Sequence, residues 1–148
     1  TYYLLARVDA DGAVAEGQEF NNQVARSIAI GPDLIIAVLS APSSAAAGAT
    51  VTVGDTTRNQ GGGAAGASVT RFYLSANGAL DAGDPLLGAR AVPALGGGAS
   101  AAGTTSVTIP PGTAPGTYYL FGRADADGAV AETSDANNIG LTLIQVTP

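Results

Sequence analysis

The sequence predicts an all-β fold: a seven-stranded antiparallel sandwich of the immunoglobulin-like type, with an extra N-terminal hairpin that repeats its last two strands. Three observations predict it. Short runs of aliphatic, aromatic and β-branched residues alternate with turns rich in Gly, Pro, Ser and Asn, at the spacing of a sandwich. Helical periodicity is absent from every window. Finally, residues 1–22, TYYLLARVDADGAVAEGQEFNN, return as residues 117–138, TYYLFGRADADGAVAETSDANN, at an offset of 116 that holds until Pro148 falls on Pro32. A constant period divides the chain into one full repeat, residues 33–148, and the C-terminal hairpin of a preceding repeat, residues 1–32.

The elements follow in order. Residues 2–9 form a strand that ends at Asp11-Gly12, a turn dipeptide, and residues 24–30 form its partner. Gly31-Pro32 punctuates, since proline cannot donate to a ladder. In the full repeat, residues 34–41 are a strand ended by Pro42 and the small-residue run 43–48. Residues 50–58 alternate, with Val51 and Val53 on one face. NQGGGAAG, residues 59–66, is a loop. Residues 68–75 put Val69, Arg71 and Tyr73 on one face and Thr70, Phe72 and Leu74 on the other. A loop with Asn77-Gly78, Asp81 and Asp84 precedes a weaker strand, 86–95, interrupted by Pro93. Residues 96–103 read as a small-residue loop, 104–109 as a short strand and 110–116 as a turn-rich link. The hairpin then recurs at 117–125 and 139–146.

Composition excludes several chemistries. The chain has no Cys, Met, Trp or His, and its six basic residues are all Arg. Thiol nucleophiles, imidazole bases and the usual zinc ligands are therefore absent. A net charge of −6 opposes a nucleic-acid partner, whose phosphates call for a basic face. No apolar run approaches the roughly 18 residues of a membrane span. With no initiator Met and no signal peptide, the chain reads as a piece of something larger. No residue is assigned to catalysis and no enzyme activity is expected, because Ser and Thr have no base to activate them.

PDLIIAVLSAP opening the repeat, VTVGDTTRNQG after it, RFYLS in the middle and TYYLFGRADADGAVAETSDANN near the end resemble the CARDB family, the "cell adhesion related domain found in bacteria". The resemblance covers residues 33–148, and residues 1–32 match the end of the copy before. It implies an immunoglobulin-like sandwich in tandem arrays, an extracellular or cell-surface location, and no enzymatic activity. The buried Trp and disulfide of antibody domains are missing.

The acidic loops are the candidate metal centre. Asp9, Asp11, Glu16 and Glu19 bring four carboxylates into eleven residues, and Asp125, Asp127, Glu132 and Asp135 take the same offsets in the second copy. Calcium wants six to eight oxygens, which a glycine-bent acidic loop can supply. The alternative is that Asp-Gly makes the turn while the other acids are solvated or cap backbone N–H groups. Otherwise no cofactor is expected. The Asn pairs 21–22 and 137–138 suit left-handed turn positions, while Arg58, Asn59 and Arg71 are candidate recognition groups or sheet cover.

A two-stranded hairpin is marginal alone. Tyr2, Tyr3, Leu4, Leu5, Val8, Val24, Ile28 and Ile30 therefore form a candidate assembly surface that needs a partner sheet. That partner is either a preceding repeat of the same polypeptide or another copy, joined by strand addition. The expected function is a structural repeat of an extracellular bacterial surface protein, building a fibre or filament by head-to-tail packing or strand complementation with copies of itself. The alternative is an adhesin module that contacts a surface glycan or protein receptor through loops 59–66 and 75–85.

Overall fold

The computed structural model describes residues 2–148; Thr1 and the side chain of Glu19 lie outside the described part. Ten strands follow one another: β1 (Tyr2–Arg7), β2 (Gln23–Ile28), β3 (Leu34–Ser40), β4 (Ser44–Ala46), β5 (Thr50–Asn59), β6 (Ser68–Ser75), β7 (Leu86–Val92), β8 (Ser100–Thr108), β9 (Gly116–Arg123) and β10 (Ile139–Thr147). One 3-10 turn, Glu19–Asn21, is the only helical element among the described residues. The fold is all-β, as expected.

Among the described residues, β1 and β2 pair only with each other. The repeat proper is two sheets, one ordered β4-β10-β9-β6-β7 and the other β3-β5-β8. It has eight strands rather than seven, and one pairing is parallel. Residues 43–48 were expected to turn, yet Ser44–Ala46 runs parallel to β10 at Gln145–Thr147. Small side chains carry no alternation to read, so only the neighbouring strand decides their conformation. The same reason lengthens β8, where Ser100 and Ala101 pair with Arg58 and Thr57 inside the stretch expected to be loop. β7 stops at Val92, before Pro93.

Alternation along β6 places Thr70, Phe72 and Leu74 inside, as the pattern required. The core falls into two apolar clusters. One gathers Val53, Phe72, Leu74, Val107, Ile109, Leu120, Ile144 and Val146; the other holds Leu34, Ala65, Val92, Leu95, Ala124 and Val130. Burial of each large aliphatic side chain contributes about 1.5–3 kcal/mol.

A polar belt built from inward-facing residues of β5 lies between the clusters. Asp55 accepts from Arg90 Nε at 2.7 Å and from Nη2 at 2.5 Å. Thr57 Oγ1 lies 3.2 Å from Asp55 and 2.8 Å from Thr70 Oγ1. Arg90 also donates to the Ala101 carbonyl. Asp55 belongs to one sheet, and Arg90 and Thr70 to the other, so the belt ties the layers together.

The Asp55 side chain is fully buried and that of Arg90 is 13% exposed. Removing one partner strands the other charge, so Asp55→Ala should cost about 3–5 kcal/mol. Replacing both by apolar residues of similar volume should recover most of it. Urea unfolding midpoints of the single and double variants check this.

Candidate functional site

The loop joining β9 to β10 is built on Asp125, whose φ of 42° lies in the left-handed region, as does Gly128 at 63°. Its carboxylate accepts from the backbone N–H of Ala129 and of Val130, both at 3.0 Å. Asp9 repeats the arrangement in the first copy: φ is 47°, with Ala13 N at 2.8 Å and Val14 N at 3.2 Å. The leading acid of each loop is therefore a brace for its own turn.

The remaining carboxylates of the second copy point to separate partners. Asp127 pairs with Arg71 at 2.5 Å, where both side chains are over a third exposed and the pair is worth little. Glu132 accepts from the backbone N–H of Leu34 at 2.5 Å and from Asn138 Nδ2 at 3.1 Å. Asp135 is exposed. Among the described residues, no three carboxylates converge as a divalent cation requires. Asp125, Asp127 and Glu132 each accept from a different protein donor. In the first copy Asp11 and Glu16 are exposed, and the Glu19 side chain lies outside the described residues.

The loops instead surround the segment that links the two copies. Pro32 O accepts from Thr133 N at 3.0 Å. The Asp33 carboxylate accepts from Asn137 Nδ2 at 2.9 Å and from Gln60 Nε2 at 3.0 Å. Asp33 N donates to Asn59 Oδ1, and Leu34 N donates to Glu132. Asn59 is fully buried and also donates to the carbonyls of Gly63 and Leu95. It was expected at the surface, but its place on β5, in step with Val53, Asp55 and Thr57, turns it inward. That alternation was the signal available in the sequence.

Glycines make room for the link. A Cβ on Gly62 would land on the Ala29 carbonyl oxygen, and one on Gly63 would lie 2.7 Å from Gly31 Cα. Gly63 N–H donates to Gly31 O at 2.9 Å. Loop 59–66 is thus occupied by the chain's own linker. Loop 75–85 is bonded to itself through Ser75, Asn77, Asp81 and Asp84. Cavities of about 350 and 410 Å³ flank the junction: the first lies between Ile28, Ile30 and Thr133, the second beside Asp125, Glu132 and Asp135.

Tyr2, Tyr3, Leu4, Leu5, Val8, Val24, Ile28 and Ile30 are all exposed on the first hairpin. They lie on both faces of the hairpin, and among the described residues no other strand pairs with it.

Burial raises the pKa of Glu132; the Leu34 and Asn138 hydrogen bonds oppose the rise, and Asp125 and Asp135 add to it. A carboxyl whose folded pKa is raised binds more protons folded than unfolded. Its stability contribution is full below the ordinary glutamate range and fades as pH climbs through the raised value. Wild type should therefore lose stability relative to Glu132→Gln as pH rises above the ordinary glutamate range, and parallel pH profiles of the melting temperature would contradict this. Glu132→Ala should cost about 1–3 kcal/mol by leaving the Leu34 N–H unpaired. Gly62→Ala should unseat the linker, seen as faster hydrogen exchange at the Gly63 amide with Phe72 and Leu120 unchanged.

The CARDB family model matches residues 31–140, which take in the link, the glycine loop and the acidic loop. A CARDB domain from Pyrococcus furiosus, determined in complex with di-metal ions, superposes with a TM-score of 0.60 at 20% identity, over 82% of this chain and 94% of that one. A domain from Methanosarcina acetivorans, whose parent carries a provisional cell-surface designation, gives 0.52 at 22% identity over 80% and 94%. A Listeria innocua β-glucosidase in complex with glucose gives 0.53 at 19% identity, over 79% of this chain but only 16% of the enzyme. At these identities the likeness is one of fold. No curated protein sequence matches the chain. The chain belongs to the CARDB family.

Proposed function

We propose that the chain is a non-catalytic structural repeat of an extracellular surface protein, stacked head to tail with neighbouring repeats into a fibre. One observation carries the proposal: the same residues are buried in one copy of the hairpin and bare in the other. Leu120 is 0% exposed and its counterpart Leu4 is 62%; Ile144 is 1% and Ile28 is 37%; Val146 is 0% and Ile30 is 54%. The first hairpin has an apolar face built for a sheet like β3-β5-β8, and a preceding repeat supplies that sheet. The surface location is supported by family membership and by the designation of the Methanosarcina relative.

A catalytic role is disfavoured by the lack of His and Cys and by the engagement of the loop carboxylates with backbone donors. Among the described residues no three carboxylates gather into a metal-holding group, and the proposal includes no metal. No observation favours the adhesin reading over this one, since loop 59–66 already holds the linker.

Two measurements test the proposal. With a preceding repeat restored, the amides of β1 and β2 should exchange as slowly as those of β9 and β10, and faster in the 148-residue chain alone. Electron microscopy of the native material should show beaded rods. Isolated globules at every concentration, with no parent array, would overturn it.

A further inference from the structure

We infer that the β1–β2 hairpin is shaped for a preceding repeat that carries Gly or Ala at the position of Ile36, and that it is sterically excluded from the seat of β9–β10 in an identical copy. The inference rests on the tandem-repeat reading and adds which neighbour the hairpin accepts.

The two hairpins share a register but differ on the face that meets the second sheet. In the buried copy, Gly122 and Gly140 pair across β9 and β10. Together they form a notch that β3 fills. A Cβ on Gly140 would lie 2.7 Å from Ile36 Cγ2 and 2.9 Å from Ile36 Cβ; one on Gly122 would lie 3.3 Å from Leu39 Cδ1. In the first copy the corresponding cross-strand pair is Ala6 and Val24. Val24 brings its Cβ and two methyls into the volume that Ile36 occupies here. Ile36 cannot swing clear, because its own Cβ, fixed to the β3 backbone, is among the atoms met.

The difference extends along the face. Buried Ala124 corresponds to Val8, Thr142 to Arg26 and buried Val146 to Ile30, so the first hairpin is bulkier inside at five positions. On the opposite face it is slighter: buried Phe121 and exposed Ile139, Leu141 and Leu143 correspond to Leu5, Gln23, Ala25 and Ser27. The first hairpin thus fits a sheet with a deeper recess at the position of Ile36. Exchange of hairpins between identical copies meets a clash rather than a duplicate seat, which sets the order of neighbours.

A substitution cycle in the 148-residue chain tests the notch. Gly140→Val and the milder Gly140→Ala should each lower the melting temperature, the former by about 5–15 °C. Ile36→Ala should lower it too, by leaving a cavity. Combined with either glycine variant, Ile36→Ala should restore part of the loss. Gly140→Val melting as wild type does, or a double variant no better than its glycine parent, would overturn the inference. Sequencing the parent upstream gives a second test. Gly or Ala one 116-residue period before Ile36 supports it; Ile, Leu or anything larger overturns it while leaving the tandem reading intact; no repeat there overturns both.

Discussion

Everything at one end of the sandwich depends on how residues 32–34 are held. These three residues connect the copies, and their polar groups are claimed by side chains and backbone from distant parts of the chain. Asn59 and Gln60 come from the end of β5, and Glu132, Thr133 and Asn137 come from the β9–β10 loop. A buried backbone N–H without a partner is costly, so this convergence fixes where β3 begins. With β3 fixed, Ile36 and Leu39 reach the notch at Gly122 and Gly140, and the two sheets are set one on the other.

The hairpins test what such a sheet is worth. In β9–β10 the core face is buried under β3, β5 and β8, and in β1–β2 the matching face is bare. The local loop is nonetheless the same in both, with a left-handed Asp and two backbone N–H groups on its carboxylate. Loop conformation is a property of the nine or so residues that make it, whereas burial belongs to the neighbour.

The acids take structural work for the same reason. A carboxylate beside free backbone donors is satisfied at once by charge-assisted hydrogen bonds. Glu132 is the clearest case: it caps the first residue of β3 and its burial is offset only in part by the bonds it accepts. The Asp55–Arg90 pair makes a parallel point within the sandwich, where charge joins two layers with little aromatic bulk to share between them.

By itself the sequence determined the all-β class, the 116-residue register, most strands, the inward face of β6 and the turn made by each Asp-Gly. These are local: alternation and turn chemistry act over a few residues, and repetition needs no structure to be seen. Only the tertiary structure decided β4, the length of β8, the Asp55–Arg90 tie, the donor that each acid meets and the linker cradle in the glycine loop. Alanine, glycine and serine carry no pattern that distinguishes strand from loop, so the partner strand chooses. A carboxylate in a sequence likewise does not reveal which N–H lies within its reach. That is settled by which distant backbone the fold brings to it, as the link at residues 32–34 is brought to Asn59 and Glu132.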